Sequence, residues 1–142
     1  MTSAVIPVAT RIEGAQRLCF LPDLFGGDFV FAESMIYAYA DRYCPDYRGG
    51  FWNFYRLPDG GGYMAPDVDT LILDNAGNWF NETVSGNAAG FILTALVLNH
   101  RCWHHDSQGN GALCAHMAKR HTQLMSFVEY HPERALIWRA LD

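Results

Sequence analysis

The chain has 142 residues, of which 50% are hydrophobic and 18% are charged, a balance that excludes an intrinsically disordered protein. Its 10 basic and 15 acidic residues give a net charge of −5, the wrong sign for a general phosphate-binding face. A protein that imitates a dozen base pairs of DNA by charge alone would need roughly twenty excess acids, so charge mimicry is excluded as well.

The N-terminal third is predicted to be mainly helical. Residues 4–12 are expected to be extended and residues 13–19 to form a brief helical stretch. Residues 21–27 add a turn of helix that ends at a glycine pair. Apolar residues at helical spacing predict a longer helix over residues 29–43. Pro45 ends it, because the residue before a proline avoids the α region.

The middle of the chain is predicted to form two β-hairpins. The first is rich in aromatic residues and turns at the glycine cluster 58–62. The second turns at residues 74–78, where Asn and Gly are expected to supply the positive φ angles of a tight turn. The four predicted strands are residues 51–57, 63–65, 70–73 and 79–84.

The last part is predicted to be helical. Ser85 is a plausible N-cap, and residues 88–100 are apolar on nearly all sides, so this helix is expected to lie buried under the sheet. A loop at 107–111 precedes helices over 112–130 and 131–141, the last with Pro132 in its first turn. This order predicts an α+β fold with an antiparallel sheet of about four strands, packed with N-terminal and C-terminal helices. We expect one domain over residues 1–142.

The sequence predicts neither a secretory signal nor a membrane span. The N-terminus lacks a basic region followed by an apolar one, as a secretory signal would have. The longest apolar run, residues 88–98, is near 11 residues, whereas a membrane span needs about 20. We therefore expect a cytoplasmic protein without a membrane partner and with reduced cysteines.

The densest group of potential metal ligands lies between residues 100 and 121. It comprises His100, Cys102, His104, His105, Cys114, His116 and His121. Imidazole and thiolate are preferred ligands of zinc, but the spacing matches none of the usual zinc templates. We interpret the group as a polar helix end with incidental histidines and predict no metal, no cofactor and no catalytic residue. A small metal-dependent enzyme is the alternative hypothesis.

The first hairpin presents aromatic residues on both faces. Because strand side chains alternate, Trp52, Phe54 and Arg56 share one face, and Phe51, Asn53 and Tyr55 share the other. Either helices cover both faces, or exposed aromatics beside arginine form a protein interface. On the second interpretation Trp52 and Tyr55 are candidate binding residues. Phe51 and Tyr63 are expected to fill the core.

The C-terminus offers a second candidate. The last helix has an apolar side at Leu136, Ile137 and Leu141, and it is expected to dock through that side. This arrangement would leave Arg139 and the terminal Asp142 at the surface as candidate binding residues.

Several strings along the chain resemble the ArdB/KlcA antirestriction family. The most specific are C-P-D-Y at 44–47, G-G-x-W-x-F-Y at 49–55 and Y-M-A-P-D at 63–67. Further similar positions occur at 5–8, 20–26, 33–37, 88–90, 98–99 and 131–142. The resemblance thus spans nearly the whole chain, except that the stretch 100–121 is not a recognised family feature.

The resemblance implies a role. Proteins of this family are carried by plasmids and genomic islands and protect incoming DNA from type I restriction enzymes of the host. It implies a mixed α/β fold special to the family, no catalytic activity, and a partner in the type I restriction–modification complex or associated host machinery. With the net charge of −5, strong direct binding of nucleic acid is not expected. The candidate binding residues are Asp142, Arg139, Trp52, Tyr55, Asp46 and Asp67. An interaction module with another bacterial target remains a further hypothesis.

Overall fold

The computed structural model describes residues 6–142. Their helices and strands follow in the order β1 (Thr10–Ile12), α1 (Arg17–Phe25), α2 (Phe29–Tyr43), β2 (Trp52–Arg56), β3 (Gly62–Pro66), β4 (Thr70–Asn75), β5 (Phe80–Ser85), α3 (Gly86–Ser107), α4 (Gly111–Phe127) and α5 (Arg134–Leu141). Short 3-10 turns lie at Gly14–Gln16, Gly26–Asp28 and Val128–Tyr130. The predicted α+β fold is confirmed.

The strands form two separate antiparallel sheets. The first has the order β1-β2-β3, and the second pairs β4 with β5. Tyr55 is the central partner in the first sheet, opposite Arg11 of β1 and Tyr63 of β3. The predicted hairpins are therefore present, but they do not join into one sheet, and the extended N-terminal segment adds the short strand β1.

A helix residue occupies the middle of the free edge of β3. The hydroxyl oxygen of Thr94, on α3, lies 3.3 Å from both the backbone nitrogen and the carbonyl oxygen of Met64. It accepts from the N–H and donates to the carbonyl, so the backbone groups of Met64, in the middle of this edge, are not free to pair with a fourth strand. Thr94 is completely buried.

Helix α3 packs directly on β3. Its predicted N-cap is confirmed, since the Ser85 hydroxyl accepts from the backbone N–H of Ala88 at 2.9 Å. One turn later Gly90 comes so close that a Cβ atom there would lie 2.3 Å from the Cα of Ala65. The predicted position of this helix against the sheet is confirmed. It runs on to Ser107, beyond the predicted range, because the loop before α4 is only three residues long.

Both faces of β2 are covered. Phe54 stacks on Phe20 of α1 with a centroid distance of 4.7 Å. On the other face Tyr55 stacks on Tyr63, which packs against Phe91 of α3. The interpretation of a sheet covered on two sides is confirmed, and Tyr63 fills the core as predicted.

The prediction that Phe51 fills the core is wrong. Phe51 lies just before β2 and is 58% exposed. Its ring instead supports the guanidinium of Arg17, whose Cζ lies 4.5 Å from the ring centroid. The exposed ring is therefore partly shielded by a cation–π contact.

A buried ion pair ties the start of α2 to α3. Two nitrogens of Arg101 donate to the two carboxylate oxygens of Asp28 at 2.6 and 2.7 Å. His105 Nε2 lies 2.9 Å from the same carboxylate, too poorly aligned for a good hydrogen bond. Burial would raise the pKa of Asp28, but the contacts from Arg101 and His105 outweigh it and hold that pKa below its ordinary value.

No helix within residues 6–142 has both the length and the apolar character needed to cross a membrane.

Candidate interaction surface

Trp52 is the least accessible of the predicted binding residues. It is 4% exposed, and its indole N–H donates to the hydroxyl of Tyr47 at 2.9 Å. Its ring packs edge-on against Tyr37 of α2. Trp52 therefore belongs to the packing between the first sheet and α2 and offers almost no surface to a partner.

Asp46 and Asp67 are exposed, and each accepts a hydrogen bond from a residue of a strand. Asp46 accepts a hydrogen bond from the backbone N–H of Ile72 at 3.0 Å. Asp67 accepts one from the side-chain amide of Asn53 at 3.2 Å. The first bond connects the segment before β2 to β4, and the second connects the end of the first hairpin to β2. Both acids of the family-like strings therefore have a structural role.

Tyr55 lines a pocket of about 380 Å³ between the first sheet and the chain around residue 130. The walls are mostly apolar and include Pro7, Val8, Phe127, Tyr130 and Pro132. An apolar concave site with a few converging polar groups is the usual form of a small-molecule or side-chain pocket.

The polar part of this pocket is a chain of hydrogen bonds around His131. The side-chain oxygen of Asn87 accepts from the Tyr63 hydroxyl at 2.9 Å and from His131 Nε2 at 2.7 Å. His131 Nδ1 accepts from the backbone N–H of Glu133 at 3.0 Å. These partners assign the neutral tautomer with its proton on Nε2. Burial lowers the pKa of His131, against a weaker opposing effect of Glu133.

Acidification is expected to destabilise the fold through this histidine. Because the pKa of His131 is lower in the folded state, the unfolded chain binds the proton more readily. The free energy of unfolding is therefore unaffected by this histidine above its ordinary pKa of about 6.5, and it falls as the pH drops below that value. A proton on Nδ1 would also break the bond from Glu133. We expect the urea midpoint to fall between pH 7 and pH 5, and the fall to be smaller in His131→Gln. An equal fall in both proteins would contradict this role, because His100 and His121, whose pKa values burial also lowers, would then account for all of it.

The C-terminal surface consists of Asn78, Trp79, Trp138, Arg139 and Asp142. Helix α5 docks by burying Ile137 and Ala140, while Leu136 and Leu141 of the predicted apolar side are only half-buried against the core. The side-chain amide of Asn78, in the β4–β5 turn, donates to the carbonyl oxygen of Ala140 at 2.6 Å and reaches that of Asp142 at 3.4 Å. The turn and the chain end are thereby held together.

Arg139 and Asp142 lie on this surface with different surroundings. Arg139 donates to Glu82 at 3.2 Å, and its guanidinium lies 5.6 Å from the ring centroid of Phe80. Asp142 is exposed and borders a cleft of about 280 Å³ between α3, α4 and α5. Trp138 and His121 also line this cleft, and burial lowers the pKa of His121. Tyr55 and Asp142 thus belong to two different clefts.

Trp79 is a surface residue that the sequence pattern assigned to a strand. It is 93% exposed and has a φ of 61°. The prediction that Asn and Gly supply the positive φ of this turn is wrong, because among its residues Trp79 alone has one. A bulky side chain in this region is strained, and an exposed indole gains no burial energy. The sequence contains one indication of this arrangement, a tryptophan directly after the predicted turn at 74–78.

The histidines and cysteines at 100–121 do not converge on one point. His100 Nδ1 lies 2.6 Å from the Tyr39 hydroxyl, and His116 Nε2 lies 3.0 Å from the carbonyl oxygen of Leu24. His121 lines the cleft of the C-terminal surface. Over residues 6–142, no three His, Cys, Asp or Glu side chains are grouped so that they could hold a metal ion.

Comparison with known proteins gives a consistent family. A family model described as antirestriction protein matches residues 45–142. The chain belongs to the antirestriction protein family. The matched range begins at the C-P-D-Y string and contains β2 to α5, so the predicted resemblance to ArdB/KlcA is confirmed.

The relatives of this antirestriction protein cover its whole length. YubI of Escherichia coli strain K-12 is 50% identical over 136 residues, which is 96% of both chains. Antirestriction protein KlcA of Escherichia coli is 39% identical over 149 residues, with both chains fully covered. A solved structure with a TM-score of 0.85 and 36% identity covers 100% of this chain and 99% of the other. That work describes a novel fold for KlcA and ArdB, with antirestriction activity against type I DNA restriction systems in vivo but not in vitro.

Proposed function

We propose that this protein protects DNA of mobile genetic elements by inhibiting type I restriction in the host cell. It acts by binding a protein of the restriction–modification complex or of associated host machinery, without catalysis and without imitating DNA by charge. The observation that carries the proposal is full-length similarity, in sequence and fold, to proteins described as active against type I systems.

The C-terminal surface is the part of the molecule that best fits a protein partner. It includes two exposed tryptophans: Trp79, which follows Asn78 in the β4–β5 turn, and Trp138, which precedes Arg139 on α5. Tryptophan and arginine are enriched among residues that dominate binding energy at interfaces. Its charges are mixed, since Arg139 pairs with Glu82 while Asp142 is acidic. This composition favours a protein partner over the phosphate backbone, which would select an excess of basic residues.

The proposal is tested by phage plating in living cells, because the related proteins are described as active in vivo but not in vitro. Unmodified phage is plated on a host with an active type I system, with and without the protein. A host whose type I endonuclease is inactivated serves as the control for expression effects. We expect plating efficiency to rise only in the restricting host. Unchanged restriction, with the protein detected at normal levels, would refute the proposed function.

Two changes at the C-terminal surface test where the partner binds. Deletion of Asp142 and Arg139→Ala are each expected to reduce the protection at an unchanged protein level. Leu18→Ala is the matched control, because Leu18 is 81% exposed but lies on α1. Full protection by both C-terminal variants would remove Asp142 and Arg139 from the site and leave the role of the protein intact.

Trp79 allows binding and stability to be separated at one position. Trp79→Gly is expected to raise the free energy of unfolding by about 0.5–1 kcal/mol, since glycine adopts a positive φ without steric cost. Trp79→Ala removes the same indole but keeps the strain, so its stability is expected to stay near that of the parent. Urea unfolding measures both.

If the indole contacts the partner, both variants lose protection although one of them is more stable. Retained protection in both would show that the strained tryptophan does not serve this function.

A further inference from the structure

Two free cysteines face each other across the hairpin of the last long helices. Cys102 lies on α3 and Cys114 on α4, each six positions from Gln108 in the connecting loop. Their sulfur atoms are 3.7 Å apart, and Cys102 Sγ is 3.5 Å from the carbonyl oxygen of Cys114. Both side chains are partly accessible to solvent. The pair lies outside the clefts that contain Tyr55 and Asp142.

We propose that Cys102 and Cys114 are a reversible thiol–disulfide site that is oxidised by small disulfides such as glutathione disulfide. The thiolate of one cysteine attacks a sulfur of glutathione disulfide, whose S–S bond breaks and releases one glutathione. The second cysteine then attacks the mixed disulfide and releases the other glutathione. The two cysteine protons leave with the two glutathione molecules, so the cysteines are oxidised and the glutathione disulfide is reduced.

The short distance between the two sulfur atoms favours attack of the second cysteine on the mixed disulfide over attack by a free glutathione thiol. A disulfide needs a sulfur separation of about 2.05 Å, so the atoms must approach by roughly 1.7 Å from their observed 3.7 Å. The two sulfurs already touch at their van der Waals surfaces, and rotation about the Cα–Cβ bond of either cysteine supplies movement of this size.

The other two cysteines provide internal comparisons. Cys19 is exposed on α1, so it is expected to stop at a mixed disulfide with glutathione. Cys44 is 1% exposed, and burial raises its pKa to about 12, so it is expected to stay a thiol. Burial and the neighbouring Cys114 thiol also raise the pKa of Cys102. The rate of oxidation should therefore rise as the pH increases above neutrality, because more thiolate is present.

The sequence makes the test direct. Trypsin cleaves after Arg101 and Lys119, so one peptide, residues 102–119, contains both cysteines, while Cys19 and Cys44 fall in separate peptides. The full-length protein is incubated with glutathione disulfide, its remaining thiols are alkylated, and the tryptic peptides are analysed by mass spectrometry. We expect peptide 102–119 to be two hydrogens lighter and free of alkyl groups. Dithiothreitol added before alkylation should restore two alkylation sites.

Variants and stability complete the test. In Cys114→Ser, Cys102 should carry glutathione or an alkyl group, whereas Cys19→Ser should still form the light peptide. The oxidised parent should also unfold at a higher urea concentration than the reduced one, and Cys114→Ser should show no such shift. Glutathione adducts that accumulate on Cys102 or Cys114 of the parent, or a disulfide from either cysteine to Cys19 or to a second chain, would overturn the proposal. The mapping on the parent needs no variant to fold.

Discussion

Replacement of Gly90 by alanine is expected to lower the free energy of unfolding by about 3 kcal/mol or more. The added Cβ would lie 2.3 Å from both the Cα of Ala65 and the carbonyl oxygen of Met64. Both contacts are with the backbone of β3, which is held by β2 on one edge and by Thr94 on the other. Neither edge can move without breaking hydrogen bonds, so the strain cannot relax through a side-chain rotation. Urea denaturation of the purified variant measures the loss.

Gly111→Ala is the matched control for this prediction. Gly111 is the first residue of α4, a Cβ there meets no atom within 4 Å, and its φ is not positive. Alanine is favoured over glycine within helices by up to roughly 1 kcal/mol, so this variant should be as stable as the parent or slightly more stable. A loss of less than about 1 kcal/mol in Gly90→Ala would show that α3 does not need its close approach to β3.

Replacement of Asp28 by asparagine is expected to cost about 3–5 kcal/mol of unfolding free energy, because it leaves a buried charge without its partner. The side chains of Asp28 and Arg101 are 4% and 13% exposed. Asparagine keeps the shape of the carboxylate but removes its charge, so Arg101 remains desolvated and uncompensated. Thermal or urea unfolding at pH 7 measures the effect.

Two controls separate the effect of burial from the effect of charge at Asp28. Glu82→Gln breaks the exposed pair with Arg139, whose side chains are 42% and 61% exposed, and should cost less than about 1 kcal/mol. The double change Asp28→Leu with Arg101→Met should recover much of the lost stability, since an apolar pair can replace a buried ion pair. Equal losses in Asp28→Asn and Glu82→Gln would contradict the importance of burial.

The lowered pKa of Asp28 adds a signature in acid. The ionised Asp28 contributes fully to the free energy of unfolding above the ordinary carboxyl pKa near 3.9. This contribution is lost as the pH falls from there through the lower pKa of the folded state. The histidine effect occurs nearer neutrality. The parent should therefore lose stability in two separate pH ranges, and Asp28→Asn should lack the more acidic one.

Local patterns in the sequence predicted the bounds of α2 and the burial of α3, whereas the stretches predicted at 13–19 and 21–27 form a 3-10 turn and the single helix α1. Helix α2 begins and ends where the apolar spacing and Pro45 predicted, at Phe29 and Tyr43. The burial of α3 followed from its lack of a polar side. Both signals are local, because they depend on neighbours within a few turns and on backbone preferences that the rest of the fold does not override.

The parts that could not be predicted depend on contacts between distant segments. At the edge between the two sheets Thr94 contacts Met64, which lies thirty positions earlier in the chain. The exposure of Phe51 depends on where β2 begins, and alternation alone does not give the first residue of a strand. Trp79 could not be placed because turn chemistry favours glycine or asparagine at a positive φ. Among the candidate binding residues, Trp52 is covered by Tyr37 and Tyr47. The alternation of side chains along the strand gives the face on which Trp52 lies but not what packs against that face.

The hydroxyl of Thr94 also protects part of one strand edge against aggregation. Cross-β assembly requires a strand whose backbone groups are free to pair with another copy, and in the middle of β3 those of Met64 are already paired. Pairing through Met64 therefore requires α3 to detach, with loss of its contacts in the main core. The remaining edge of the three-stranded sheet, β1, is only three residues long and carries Arg11, features that discourage pairing. The first hairpin is thus protected against self-association at Met64 for as long as the protein stays folded.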